Sequence, residues 1–97
     1  MHGEYKVPGG KLVVVDTDVE EDCLARVSVS GDFFLDPDDA LTRITASLEG
    51  APASSSAKDL AARVEGALHE GDTLMGVTPE AVGIAVRRAL GAALSWD

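Results

Sequence analysis

Three carboxylates at alternate positions, Asp16, Asp18 and Glu20, form the densest run of metal-type donors in the chain. A helix–loop–helix calcium site needs Gly at its sixth position and Glu at its twelfth, where this sequence has Glu21 and Val27. Spaced by two in a β-rich run, the three line one face of a strand, and a solvated acidic face is expected. Cys23 is the only cysteine. Reactive thiols sit beside positive groups that lower their pKa, whereas Glu21 and Asp22 precede this one, so an incidental or structural thiol is expected. His2 and His69 have no ligand-like spacing with it. Gly9-Gly10-Lys11 has the composition of a phosphate cradle, but the residues after it read as a strand, and a phosphate loop needs a helix N-terminus there. A hairpin turn is the expectation. The sequence contains no Ser-His-Asp set, zinc spacing or Walker loop. Its chemistry-bearing residues point away from a free-standing enzyme.

Composition supports the same view. At 97 residues and 45% apolar content, the chain is expected to form one small domain over residues 1–97, with room for one core. Seventeen acids against eight bases give a net charge of −9, which disfavours a nucleic-acid backbone and an anionic membrane surface as partners. The charge is uneven. Asp16 to Asp39 holds nine acids and one base, Arg26, while residues 1–15 carry a net charge of +1 from Glu4, Lys6 and Lys11. A single cysteine allows no internal disulfide and suggests a reducing compartment. The N-terminus has no apolar signal region and Leu12–Val15 is too short to span a bilayer, so a cytoplasmic location is expected.

Periodicity places these residues on elements. Tyr5-Lys6-Val7 runs into Pro8-Gly9-Gly10, so a first strand over 3–7 is expected to pair as a hairpin with a second over 11–19. In the second, Val13, Val15, Thr17 and Val19 share one face and Leu12, Val14, Asp16, Asp18 and Glu20 the other. A third strand over 24–31 follows Glu20-Glu21-Asp22, with Ala25, Val27 and Val29 inward. Asp36 as cap and Pro37 at the first helical position open a helix over 37–49, striped by Leu41, Ile44 and Leu48. Residues 50–56 read as a flexible connector. Ser56 caps a helix over 57–69, and Thr78-Pro79-Glu80 opens a last one over 79–91, in which close helix packing is the expected reason for Gly83. Strands followed by helices give an α+β fold, a three-stranded antiparallel meander with three helices on one face.

Ser30-Gly31-Asp32-Phe33-Phe34 places two of the four aromatic residues where the last strand hands over to the first helix. Aromatics there seal the core between sheet and helix.

Taken in order, Lys6-Val7-Pro8-Gly9-Gly10-Lys11-Leu12, the strand pair, Ser30-Gly31-Asp32-Phe33-Phe34, the helix ending at Gly50, and Met75-Gly76-Val77-Thr78-Pro79-Glu80 before the last helix resemble the C-terminal accessory domain of lipoate–protein ligases. The resemblance covers essentially the whole chain. It implies a fold similar to sulfur-acceptor and iron–sulfur scaffold proteins, and a role in helping a catalytic domain activate lipoate with ATP to lipoyl-adenylate. In that family the ATP and lipoate pockets and the catalytic lysine belong to the catalytic domain. The resemblance therefore implies no catalytic residue, metal or cofactor on this chain, with ATP and lipoate reached through the partner. The implied partner is a ligase catalytic domain or subunit, with a lipoyl acceptor domain as a further candidate. Lys6, Gly9, Gly10 and Lys11 match the family's hairpin and become candidate partner contacts, with the two lysines expected to project near one another. Asp32, Phe33 and Phe34 are carried with them. Two other readings stand beside this one. The implied fold suits a sulfur-transfer or iron–sulfur assembly protein using Cys23, and the acidic face suits a generic interaction module for a basic partner.

Overall fold

Val13, Val15 and Thr17, at alternate positions along the second strand, carry side chains that water hardly reaches, and the rest of the molecule is arranged to cover them. The computed structural model describes residues 1–91, so residues 92–97 of the domain expected over 1–97 lie outside the described residues. Strands β1 (His2–Lys6), β2 (Leu12–Glu20) and β3 (Cys23–Gly31) form an antiparallel sheet in that order. The β2–β3 hairpin turns on Glu21 and Asp22, both at positive φ (51° and 64°), the geometry of a two-residue turn that continues the twist of its strands. Thr17 is the one buried polar residue among those described, and its hydroxyl donates to the Asp18 and Ala25 carbonyls at 3.1 Å each.

The register of β3 departs from simple alternation. Asp16 pairs with Ser28 but Asp18 pairs with Ala25, so Thr17 faces both Arg26 and Val27, and Arg26 has φ 52°. This bulge shifts the phase of the strand. Leu24, Val27 and Val29 are the buried residues, and Ala25, expected inward from a strict period of two, is half-buried. The bulge also aims Arg26 across the strand to Asp18 (2.7 Å) and Glu20 (2.6 Å).

A further pair of strands lies outside the meander. Phe34–Asp36 is not a helix entry but a short strand, β4, paired antiparallel with β5 (Thr73–Met75). Helix α1 therefore begins at Asp39 and runs to Leu48, and its N-cap, Asp38, makes no side-chain capping bond. The expectation of Asp36 as cap and Pro37 at the first helical position fails because the partner that draws Asp36 into a strand is Thr73, remote in sequence. Helix α2 (Ala57–Ala67) starts at Ser56, whose hydroxyl accepts from the Asp59 amide at 3.1 Å. Helix α3 (Pro79–Ala89) starts at Thr78, which accepts from the Ala81 amide at 3.1 Å. On the sheet's inner face α3 lies against β1 and β2 and α1 against β3, while α2 packs on both helices.

The segment read as a flexible connector is tied down. The Leu24 amide donates to the Ala51 carbonyl and the Gly50 amide to the Leu24 carbonyl, both at 2.8 Å, and Ala51 is fully buried. The Ala53 amide reaches the Asp22 carbonyl at 2.8 Å, and Arg87 clamps the Ala53 carbonyl at 2.6 Å. Low-complexity composition carried no sign of these bonds, whose partners lie on the β2–β3 turn, β3 and α3. Among the described residues, no helix is long and apolar enough to cross a membrane.

Six residues of α3 are buried: Ala81, Val82, Gly83, Ala85, Val86 and Ala89. A β-carbon on Gly83 would collide with the Ala57 carbonyl oxygen of α2, and one on Gly3 would collide with the Ala89 amide and Ala85 carbonyl of α3. Close packing is thus the reason for Gly83, as expected. Replacing Gly83 by Ala should lower stability by about 1 kcal/mol or more, because overpacking against rigid backbone outweighs a helix-propensity gain of about 1 kcal/mol. Gly66→Ala in α2, where nothing lies within 4 Å of the added carbon, should instead raise it by about 0.5 kcal/mol. Paired thermal melts check the opposite signs.

Candidate functional site

Three segments distant in sequence meet at one end of the molecule: the β1–β2 turn, the β3–β4 turn and the residues after β5. Within the first turn, the Val7 amide donates to the Lys11 carbonyl at 3.1 Å and the Gly10 amide to the Val7 carbonyl at 2.8 Å. The Lys11 amide then donates to the Gly76 carbonyl at 3.1 Å, and the Leu12 amide to Asp32 Oδ1 at 3.0 Å. Gly76 has φ 84°, and a β-carbon there would run into the Lys11 stem, so only glycine serves at this junction. Lys6, Gly9, Gly10, Lys11, Asp32, Phe33 and Phe34 are therefore neighbours in space. The two lysines do not converge as expected. Register pairs Lys6 with Leu12, so Lys11, one step earlier, leaves the ribbon on the opposite face. Lys6 Nζ bonds back to the Gly10 carbonyl at 3.1 Å.

The aromatics separate by alternation. Phe33 is half-buried, lies over Gly31 and packs on the core; Phe34, one residue on, is 58% exposed. Phe34 pairs directly with Met75, itself 60% exposed, so the β4–β5 ribbon presents two adjoining apolar side chains to solvent. Beside them runs a shallow groove of about 400 Å³ between the Val29–Gly31 end of β3, Phe33, Leu35 and Leu41, with Asp38 at its rim. Sequence reasoning alone singles out none of Met75, Gly76 and Leu41 as a site residue; Met75-Gly76 carries a signal only as part of an ordered motif.

An ion pair places the ribbon. Arg43 of α1 grips Asp72 through two parallel bonds, Nη1 to Oδ2 at 2.8 Å and Nη2 to Oδ1 at 3.0 Å, and Nη1 also reaches the Ala67 carbonyl at 2.9 Å. The His69 amide donates to Asp72 Oδ2 at 2.7 Å. The Arg43 guanidinium, and then the His69 amide, hold the Asp72 carboxyl down to about 2. This fastens the turn leading into β5 onto α1.

The remaining candidates lie elsewhere. Asp16, Asp18 and Glu20 form an exposed face whose charges are answered by His2 (2.9 Å to Asp16) and Arg26. Hydrogen bonds that the His2 ring donates to the Glu4 carboxylate, then to that of Asp16, raise the His2 pKa above its usual 6.5. Among the described residues no three His, Cys, Asp or Glu side chains are grouped to hold a metal ion. Cys23 is a half-buried free thiol at the head of β3, opposite Glu20 and bridged to Pro52.

The fold is similar to that of a chain from the archaeal lipoylation system of Thermoplasma acidophilum, solved as a bi-partite lipoate protein ligase and its E2 lipoyl domain. The TM-score is 0.67 at 26% identity, over 90% of this chain and 98% of that one. The chain matches no known protein-family signature and no curated protein sequence.

Two outcomes follow for this end of the molecule. Phe33→Ala should cost about 2 kcal/mol, less than the 3–5 kcal/mol of a fully buried Phe, while Phe34→Ala should stay within about 0.5 kcal/mol of wild type in denaturant melts. Because the Asp72 carboxyl is depressed from its usual 3.8 to about 2, its contribution is complete above the usual value and is lost as pH falls through about 2. Hydrogen exchange of the Thr73–Met75 amides should therefore stay slow at pH 4 in wild type and be faster there in Asp72→Asn.

Proposed function

We propose that this chain is a non-catalytic accessory component of a lipoate–protein ligase, acting with a separate catalytic partner on the ATP-dependent activation of lipoate to lipoyl-adenylate. The observation that carries the reading is the likeness, over nearly the whole of both chains, to a component of an archaeal lipoylation system. That likeness supports a role in lipoylation. The accessory role rests on the motif order and on what the residues offer, since the sequence brings no phosphate loop and its charge of −9 repels a nucleotide.

An accessory part works without a catalytic residue if it binds one conformation of its partner better than another, since differential affinity alone shifts an equilibrium. Covering the reactive mixed anhydride also keeps water from it. Both tasks need a firm surface rather than a pocket. The end of the molecule where Lys11, Gly76, Leu12 and Asp32 are bonded together has that character, and the exposed Phe34 and Met75 stand beside it. We place Lys6, Gly9, Gly10, Lys11, Asp32, Phe33 and Phe34 in the contact with the catalytic partner, in the cytoplasm.

A second reading makes the chain the acceptor that receives the lipoyl group. Lysines flanking a hairpin turn, Lys6 and Lys11, favour it; against it, Lys6 is bonded to its own turn and the Lys11 stem lies on Gly76.

Pyrophosphate release with lipoate and ATP separates the readings. The chain alone should release none, and added to the catalytic part of a bi-partite ligase it should raise the rate. Transfer from preformed lipoyl-adenylate should depend on it less, because activation is already complete. Release by this chain alone, or no stimulation of the partner, would overturn the accessory reading. Intact-mass analysis of the same mixture, with a lipoyl group on a lysine of this chain, would establish the acceptor reading instead.

A further inference from the structure

The outer edge of β3 is covered along only part of its length among the described residues. Thr17 donates its amide to the Met1 carbonyl, so the odd residues of β2 turn their backbone groups toward β1 and the even ones toward β3. Val15 pairs with Val29 and Val13 with Gly31, both odd positions of β2, so these pairs exchange no bonds and the amides and carbonyls of Val29 and Gly31 point away from the sheet. The Val27 amide confirms the direction, since it is met from outside by Glu49 Oε2 at 2.6 Å. Further back, Leu24 is paired with Gly50 and Ala51. Among the described residues nothing bonds to the outward groups of Val29 or Gly31. This bare edge lines the groove together with Phe33, Leu35 and Leu41.

The surroundings select what can lie there. From Val27 to Thr42 the chain has four acids, Asp32, Asp36, Asp38 and Asp39, and no Lys or Arg. Two copies of this chain joined edge to edge along β3 would bring both sets of acids together, each on a chain of net charge −9.

We infer that an extended segment of the catalytic partner adds to this edge as a further strand beside β3, bonded to the backbone of Val29 and Gly31. It sets an apolar side chain in the groove and a Lys or Arg against Asp36 and Asp38. Backbone pairing supplies affinity, and the groove and its acidic rim supply selectivity. The inference rests on the accessory reading and names where and how that partner is held.

Amide exchange tests it on the full chain, isotope-labelled, alone and with the catalytic part of a bi-partite lipoate ligase. Binding should slow exchange at Val29 and Gly31 by ~10-fold or more, since a paired edge amide exchanges only when the strand opens. Phe34→Asp, at an exposed position, should weaken binding by ~10-fold, and Lys58→Ala on α2 should leave it unchanged. Raising salt should weaken the complex. If the partner binds and stimulates pyrophosphate release while these two amides are unaffected, the edge inference is wrong and the accessory reading stands. If no partner binds, both fall. Protection that grows with the chain's own concentration would assign the edge to a second copy and overturn the inference.

Discussion

Everything in the molecule leans on α3 approaching two neighbours at backbone distance. The sheet offers it Gly3 and α2 offers the Ala57–Ala61 turn, and α3 answers with Gly83, Ala85 and Ala89, so no side chain holds the surfaces apart. Large residues then fill the space on either side. Val82 and Val86 are buried with Val13, Val15, Leu60 and Val64, and with Ile44 and Leu48 of α1 they make one continuous core from a sheet and three helices. Close approach of this kind leaves little freedom for relative movement, because packed interiors are dense and stiff. Arg88 adds a polar tie at the edge of the wedge, stacking on Tyr5 at 5.0 Å and donating to the Glu4 carbonyl at 3.0 Å.

Rigidity at the core becomes order at the far end through a short chain of contacts. α1 is held on β3, Arg43 of α1 holds Asp72, Asp72 fixes the entry to β5, and Gly76 after β5 receives the Lys11 amide. Arg43, Asp72 and Gly76 are not themselves among the contact candidates. Each restricts the next, so that Phe34 and Met75 are displayed on a short ribbon instead of a loose loop. An exposed apolar pair costs solubility and is retained in proteins chiefly where something else covers it.

The sequence carried the meander, the three helices and both side-chain caps at Ser56 and Thr78, because these depend on residues within a few positions of one another. It did not carry the bulge at Arg26. The extra residue leaves Val27 and Val29 where a period of two puts them and moves only the inward position before them from Ala25 to Leu24. The β4–β5 ribbon was hidden for a different reason. Asp36-Pro37-Asp38-Asp39 satisfies the local rules for a helix start, and only pairing with Thr73–Met75 overrides them. The Arg43–Asp72 pair, 29 residues apart, left no trace in any window. The candidate site was legible as separate pieces, hairpin turn and aromatic pair, while their meeting at Gly76 was a fact of the tertiary fold.

The acidity that first argued against nucleic acid also answers a structural difficulty. A strand edge with unpaired amides is a template for pairing with any other edge, and proteins usually cover or interrupt it. Here Arg88 meets the Glu4 carbonyl on the outer edge of β1, and the first half of β3 is met by Ala51, Pro52 and Glu49. Among the described residues Val29–Gly31 is left bare, and that is the stretch followed by Asp32, Asp36, Asp38 and Asp39 with no base among them. Like charges around an open edge oppose its pairing with a copy of itself while leaving it accessible to a segment of opposite charge. The uneven distribution of −9 over this small chain thus opposes self-pairing at the place where its backbone is still able to bind.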